Sequence, residues 1–130
     1  MEFYKYSFEK LEVWKDAKDL VKKIYQITEN YPKEEIYIMV SQMRRAAISI
    51  SSNIAEGCGR TNTKDQAHFY QIAYSSTIEL LNQIIISYEL KFITDNHYFE
   101  TRLLIEMVSN KIIALIKKRL NISTNKHLND

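Results

Sequence analysis

The segment SISSNIAEGCGR (residues 49–60) contains both glycines of this 130-residue chain. Because the chain has only one proline, Pro32, and no glycine outside this segment, few residues can interrupt a helix, and long helices are expected. We predict that Gly57 ends one helix in the left-handed conformation, which glycine adopts without steric cost, and that Gly59 helps the chain turn. The segment therefore separates a helix before it from a helix after it.

Apolar residues recur at helical spacing on both sides of Pro32. The first stripe predicts a helix over about 8–31 with Ser7 as its N-cap, and the second predicts a helix over about 33–56. The stripe positions are Val13, Ala17, Leu20, Ile24, Ile27 and Tyr31 in the first helix, and Ile36, Val40, Met43, Ala47, Ile50 and Ile54 in the second. Each helix has one main apolar face, as expected for a helix that packs on one side.

The second half of the chain predicts two further helices. Residues 63–66 (TKDQ) have the pattern of a capping box, so a third helix is expected over about 64–92. Asp95 can cap a fourth helix over about 96–120, with the core stripe Tyr98, Ile105, Val108, Ile112 and Leu115. The polar residues 121–130 are expected to form a frayed tail. Four long helices with short connections predict an all-α fold, an antiparallel up-and-down four-helix bundle.

Length and composition agree with one soluble domain over residues 1–120. The chain is 45% hydrophobic and 26% charged, as is typical of globular proteins. Its start, MEFYKYSFEK, does not resemble a secretory signal, and no apolar run is long enough to span a membrane. The single cysteine, Cys58, cannot form an internal disulfide. These features predict a cytoplasmic protein.

Helices three and four carry more apolar residues than one core face requires. Each has a second apolar row away from its core stripe, and a helix that is apolar on two sides is buried on two sides. In a domain this small, the second side must meet another chain. We therefore predict a homo-oligomer whose interface contains Ile72, Glu79, Ile86, Leu90, Leu103, Met107 and Ala114. The alternative is that scattered surface isoleucines and leucines are ordinary.

Glu79 lies between Ile72 and Ile86 on the second row of helix three. A carboxylate in such a row needs a partner, because an unpaired buried charge is costly. Arg44 and Arg45 are the candidate partners. The alternative is an exposed Glu79 at the rim of the interface.

The sequence contains no motif that predicts catalysis, metal binding or a cofactor. Asp65 and His68 form a D-x-x-H pattern related to the E-x-x-H of di-iron bundles, but the only counterpart, His97 with Glu100, has the reverse order. Cys58 follows a helix C-terminus, where the dipole disfavours a thiolate. We therefore expect a protein that is not an enzyme and that has no catalytic residues, metal or cofactor.

A net charge of +2 excludes a histone-like protein but allows local basic patches. The candidate nucleic-acid-binding residues are Arg44, Arg45, Arg60, Lys111, Lys117, Lys118 and Arg119. The helix dipole alone explains the cluster 117–119 at a helix C-terminus. An oligomer, however, would repeat each patch and add weak sites together. Alternatively, this cluster or the serine-rich face of helix two docks an acidic protein partner.

Three stretches carry a family resemblance: FEKLEVWKDAKDLVKKIY (8–25), QMRRAAISISSNIAEGCGR (42–60) and FYQIAYSSTIELLNQI (69–84). They resemble the four-helix-bundle proteins encoded in intervening sequences of bacterial 23S ribosomal RNA genes. The chain also resembles, more distantly, the accessory variability determinant of diversity-generating retroelements. The most specific segment is R-R-A-x-x-S-I-x-x-N-I-A-E-G, within which Ser51 stands where many relatives have proline.

The resemblance implies a ring-like homopentamer of up-and-down bundles without known enzymatic activity. Because the retroelement relatives bind nucleic acid and a reverse transcriptase, it also implies RNA or DNA, a reverse transcriptase or a ribosome-related protein as partners. Asn53, Glu56 and Gly57 match the family signature, and we interpret them as residues for helix termination and packing. The expected function is a non-enzymatic oligomeric scaffold that binds nucleic acid or a nucleic-acid-processing protein. The alternative is a protein–protein adaptor with no nucleic-acid binding.

Overall fold

The computed structural model describes the backbone of residues 1–128 and the side chains of residues 1–120. Most of the chain forms four long helices, α1 (Glu12–Thr28), α2 (Ser41–Cys58), α3 (Thr63–Glu89) and α4 (Asp95–Leu128). No β-strand occurs within residues 1–128. The predicted all-α class with four helices is therefore confirmed.

The first helix begins later than the apolar pattern predicts. Residues Ser7–Lys10 form a separate 3₁₀ turn, and Leu11 is extended, with φ −74° and ψ 126°, immediately before α1. Ser7 is therefore part of the 3₁₀ turn and not the N-cap of α1, which corrects the prediction. At the other end of α1, the Thr28 hydroxyl donates to the Ile24 carbonyl at 2.6 Å.

The segment before α2 contains two short irregular turns. Lys33–Glu35 form a 3₁₀ turn and Ile36–Val40 a π-helical turn, so the regular helix begins only at Ser41. A π turn adds about one residue per turn, so residues before it lose the phase of the apolar stripe that follows. For this reason Val40 is buried, whereas Ile36, which we predicted to belong to the core, is 47% exposed.

The N-caps of α3 and α4 lie one residue before the predicted positions. The Asn62 side chain accepts hydrogen bonds from the backbone N–H groups of Lys64 at 2.8 Å and Asp65 at 3.1 Å, so Asn62 is the N-cap of α3. Thr94 has the same role for α4, because its hydroxyl accepts from the backbone N–H of His97 at 3.1 Å. Asp95 is the first residue of α4 and not its cap.

The ends of α3 and α4 also differ from the predicted bounds. We predicted that α3 reaches residue 92, but it ends at Glu89. Lys91, two residues further on, has a left-handed φ of 64°. The Phe92 N–H donates to the Ser87 carbonyl at 2.9 Å, which closes the helix end without a glycine. Helix α4 continues to Leu128, past the predicted end at residue 120. Residues 129 and 130 of the predicted tail lie outside the described residues.

One apolar core receives side chains from all four helices. Every stripe residue predicted for α1 is buried, and from α4 the core takes Ile105, Val108 and Ile112. Ion pairs connect the helices around it: Lys23 Nζ lies 3.1 Å from Glu100 Oε2, and Lys111 Nζ lies 2.6 Å from Glu12 Oε1. The start of α1 therefore contacts the middle of α4, and the second half of α1 contacts the start of α4.

Gly57 is a packing residue within α2 and does not end the helix. Helix α2 runs through it to Cys58, and neither glycine has a positive φ, so the predicted left-handed terminator is wrong. A Cβ atom at position 57 would lie 2.7 Å from Cε1 of Tyr70, whose side chain is fully buried. Glycine is needed here because the Tyr70 ring of α3 occupies the space that a side chain at position 57 would take.

We predict that Gly57→Ala destabilises the fold. The added methyl group must displace the buried Tyr70 ring, and such overpacking costs about 1–3 kcal/mol in the free energy of unfolding. The matched control is Gly59→Ala, because a Cβ there meets only ordinary contacts at 3.6 Å. Urea unfolding followed by circular dichroism measures both. Equal stability of the two variants would contradict the steric explanation.

Candidate interaction surfaces

The second apolar row of α3 is exposed on the side of α3 next to α2. Ile72 is 36% exposed, Ile86 is 39% exposed and Leu90 is 55% exposed. Glu79 lies within this row and accepts a hydrogen bond from Nη2 of Arg45 on α2. Of the two partners predicted for Glu79, the structure therefore pairs it with Arg45. This ion pair joins the exposed sides of α2 and α3.

Arg44 instead turns toward α1. Its Nε donates to the Thr28 hydroxyl at 3.0 Å, and its guanidinium group lies 4.4 Å from the centre of the Tyr25 ring. These contacts anchor the start of α2 to the end of α1. Arg44 is consequently a half-buried structural residue in this chain.

The second apolar row of α4 is also exposed in the single chain, as expected for a row that lies away from the core stripe. Leu103 is 53% exposed and Met107 is 39% exposed, and Ala114 is exposed further along the helix. Phe99, one turn before Leu103, extends this row and is 66% exposed. Phe99 was not predicted as part of this row, although its four-residue spacing from Leu103 is a usable signal.

Further apolar side chains that the sequence analysis did not single out are exposed near α2 and at the N-terminus. Close to α2 these are Tyr37, Ile38 and Ile48. At the N-terminus, residues 1–6 form an N-terminal arm without regular secondary structure, in which Met1, Phe3, Tyr4 and Tyr6 are all largely exposed. The sequence signal for the arm was its dense aromatic composition in a segment that lacks a helical repeat.

Five of the seven candidate cations gather at one end of the fold, where α1 begins and α2 ends; they are Arg60, Lys111, Lys117, Lys118 and Arg119. Gln66 of α3 connects two of them, because it accepts from Arg119 Nε at 2.7 Å and donates to the Arg60 carbonyl at 2.8 Å. Lys111 and Lys118 line one groove beside Glu12. Arg44 and Arg45 lie away from this cluster, because they contact the end of α1 and the middle of α3.

Most of these cations already have partners within the chain. Lys111 bridges Glu12 and Asp16, and Arg60 pairs with Glu56 at 2.6 Å while its guanidinium group lies 4.6 Å from the centre of the Phe69 ring. By contrast, Lys117 and Lys118 are exposed, and neither forms an ion pair within residues 1–120. These two lysines are the cations most accessible to an anionic partner.

The bridge formed by Lys111 perturbs the ionisation of its members. Hydrogen bonds to Asp16 and Glu12 raise the pKa of Lys111, and the hydrogen bond from Lys111 lowers the pKa of Glu12. Both shifts favour the charged forms. The bridge therefore stabilises the contact between α1 and α4 and offers little free charge to a ligand.

Two of the three signature residues, Asn53 and Gly57, lie at the contact between α2 and α3, and the third, Glu56, lies at the surface. Asn53 Nδ2 donates to the Ser49 carbonyl at 2.8 Å and to the Ser49 hydroxyl at 3.1 Å, and that hydroxyl lies 2.8 Å from the Ser76 hydroxyl of α3. Gly57 contacts Tyr70, and Glu56 stays exposed in its pair with Arg60. This arrangement is a structural network, and it contains no nucleophile with an adjacent base.

Two further functions, metal binding and membrane insertion, each require a recognisable structural feature. Among the side chains of residues 1–120, no three His, Cys, Asp or Glu groups lie close enough together to hold a metal ion. None of the helices, as far as they are described, combines the length and the apolar character that crossing a membrane requires. The remaining features of interest are the exposed apolar rows, the N-terminal arm and the two accessible lysines.

These features define a small all-α protein with two exposed apolar rows and two accessible lysines. Residues 9–114 match the family described as "23S rRNA-intervening sequence protein", and the chain belongs to this family. The resemblance inferred from the three sequence stretches is therefore confirmed. No curated protein sequence matches the chain.

A solved structure shows the same fold. It is the crystal structure of a protein of unknown function from the S23 ribosomal protein family of Bacteroides thetaiotaomicron VPI-5482. The TM-score is 0.73 at 20% sequence identity, and the match covers 81% of this chain and 98% of that chain. At this identity the similarity establishes the helical fold alone.

We predict that Lys111→Met lowers stability at pH 7 and that the difference from the wild type narrows in acid. Because the folded state lowers the pKa of Glu12 below 4.5, its contribution is present above pH 4.5 and is lost as the pH falls through the folded-state pKa. Urea unfolding between pH 7 and pH 3 measures this difference. The control, Lys22→Met, removes an exposed lysine of α1. If the stability difference between Lys111→Met and the wild type did not change with pH, the bridge would be refuted as the cause of that difference.

Proposed function

We propose that this protein is a non-enzymatic scaffold that functions as a ring-like homo-oligomer in the cytoplasm. Each subunit is an antiparallel up-and-down four-helix bundle, and the assembly presents repeated basic patches to RNA or DNA, or to a nucleic-acid-processing protein. The observation that supports self-association is the pair of exposed apolar rows on α3 and α4. Rows of this extent in a domain this small indicate a protein interface.

The positions of the two rows favour a ring over a closed dimer. The α3 row lies on the α2 side, as the Arg45–Glu79 pair shows, whereas the α4 row is on a different helix. If the α3 row of one copy packs against the α4 row of the next, the contact is heterologous. Heterologous contacts close into rings when the rotation between subunits permits. A subunit number of five rests on the family resemblance alone.

The assembly can be tested with one charge in either row. We predict that Ile72→Glu or Leu103→Glu converts the wild-type oligomer to monomers, because the new carboxylate would be buried without a partner. The matched control is Gln26→Glu, which adds the same charge at an exposed position of α1, a helix that carries neither row. Sedimentation velocity at micromolar concentrations measures the result. A monomeric wild-type protein would refute the assembly.

Lys117 and Lys118 support a nucleic-acid contact. They are exposed, lie side by side on α4 and have Arg60 and Arg119 at the same end of the fold. A single copy offers too few free cations for tight binding, because nucleic-acid affinity depends on the number of phosphates neutralised. A ring repeats the two lysines in every subunit and joins weak contacts into one multivalent surface.

We predict that Lys117→Glu/Lys118→Glu weakens RNA binding and flattens its salt dependence. Each lost contact with single-stranded RNA reduces the slope of log affinity against log salt by about 0.7. Fluorescence anisotropy with a labelled RNA, measured over a salt series, tests this. The control Lys22→Glu/Lys33→Glu makes the same charge change at exposed lysines far from the cluster. Equal loss in both variants would contradict a site at 117 and 118.

The alternative function is a protein–protein adaptor without nucleic-acid binding. It is favoured by the partners that Arg44, Arg45, Arg60, Lys111 and Arg119 already have inside the chain. An oligomer that binds neither RNA nor DNA at low salt would support the adaptor and reject the nucleic-acid function. Co-purification of an acidic protein after nuclease treatment would then identify the partner.

A further inference from the structure

The N-terminal arm presents apolar side chains that its own chain does not cover. Phe3 is 78% exposed, Tyr4 is 79% exposed and Tyr6 is 62% exposed. The Tyr4 and Tyr6 rings meet edge to face at 5.1 Å. The cleft beside Phe3 is formed only by residues near the start of the chain, namely Met1, Glu2, Phe3, Lys5 and Glu9. The arm also lies outside residues 9–114, which match the family.

An apolar groove of about 300 Å³ lies between the start of α1 and the later part of α4. Its lining residues are Leu11, Glu12, Val13, Lys111, Ala114, Leu115 and Lys118. Its surface is mainly apolar, and Lys118 is an exposed cation at its rim. A groove with these properties suits a short apolar segment that carries a negative charge.

The arm and the groove lie on opposite flanks of α1. Phe8 packs on Trp14 with the ring centres 5.0 Å apart, and the 3₁₀ turn Ser7–Lys10 contacts α1 and α2, so the arm leaves the fold on the α2 flank. Glu12 faces the other way, because it pairs with Lys111 of α4. The arm is therefore directed away from the groove of its own chain.

We propose that the arm of one copy docks in the groove between α1 and α4 of the next copy. Phe3 and Tyr4 supply apolar side chains to the groove, and Glu2 pairs with Lys118 across the interface. In the assembled ring this pairing leaves Lys117 as the accessible lysine of the two for an anionic partner. The contact joins two different surfaces, so it is heterologous and is compatible with a ring. This inference rests on the self-association proposed above and adds a second contact to that of the α3 and α4 rows.

A second copy fits the arm better than nucleic acid does. The arm carries one acidic side chain, Glu2, and one basic side chain, Lys5, so it lacks the excess positive charge that attracts a polyanion. The groove, in contrast, has the exposed Lys118 that complements Glu2. Complementary charges of this kind fix the register of an interface.

Disulfide trapping tests the proposed contact directly. We expect Phe3→Cys/Ala114→Cys, in a Cys58→Ser background, to give dimers, trimers and longer covalent chains after mild oxidation. Neither single-cysteine variant should crosslink, because a head-to-tail contact brings position 3 against position 114 and neither position against itself. Chains longer than a dimer in the double variant, without dimers in either single-cysteine variant, therefore identify the head-to-tail contact. A fast-migrating monomer would show that the arm docks in its own groove and would overturn the proposal. The absence of crosslinks in a protein that is still oligomeric when reduced would overturn it equally.

Charge reversal tests the predicted pair. We expect Glu2→Lys and Lys118→Glu each to weaken self-association by about threefold, as typical for an exposed ion pair, and the double variant to recover wild-type affinity. The control, Lys117→Glu, makes the same change one residue away. Loss of affinity without recovery in the double variant would reject the Glu2–Lys118 contact.

Removal of the arm's aromatic side chains separates this inference from the proposed assembly. We expect Phe3→Ser/Tyr4→Ser to raise the dissociation constant of the oligomer by about tenfold or more, because buried aromatic anchors dominate interfaces. The control, Tyr37→Ser, removes a 90% exposed tyrosine near the start of α2.

If only the α3 and α4 row variants dissociate, the arm contact is wrong and the assembly stands. If the wild type is monomeric, both fail. Weaker RNA binding with unchanged assembly would overturn the arm contact in favour of nucleic acid.

Discussion

The close contact of α2 with α3 is the constraint on which the surfaces of this protein depend. It is made by small groups: Gly57 against the buried ring of Tyr70, and the Ser49 hydroxyl 2.8 Å from that of Ser76. No Cβ fits at position 57 because the Tyr70 ring of α3 packs directly against α2 there. Ile72, two residues after Tyr70 on α3, stays exposed at the surface.

The Arg45–Glu79 pair gives that surface a polar centre. As an exposed pair it contributes little to the stability of a single chain. If a second copy covers the α3 row, however, Arg45 still pairs with the Glu79 carboxylate inside the interface. Either residue without the other would then be a buried charge with no partner. A charged pair within apolar rows can therefore restrict which partner and which register the surface accepts.

The sequence predicted the helices and the core well, since both follow from apolar spacing. The predictions were wrong at positions where a helix cap, a π turn or a close contact overrides the apolar spacing. Asn62 and Thr94 cap their helices by side-chain hydrogen bonds, and Ile36 leaves the core because of a π turn. The role of Gly57 was misjudged because close approach and helix termination both require glycine, and only the position of Tyr70 distinguishes them. The two apolar rows were identified, but Phe99 and the N-terminal arm were missed.

The sequence also could not predict which lysines and arginines are free to bind a partner, because this depends on contacts between residues that are distant in the sequence. Lys111 and Lys117 lie on the same helix and look equivalent in the sequence. In the structure, Glu12 and Asp16 neutralise Lys111, whereas Lys117 stays exposed. The chain consequently has fewer usable cations than its count of lysines and arginines suggests. With so little free charge per subunit, any polyanion affinity must come from repetition. In the proposed assembly, nucleic-acid binding is therefore coupled to self-association, and a substitution that weakens self-association is expected to weaken binding as well.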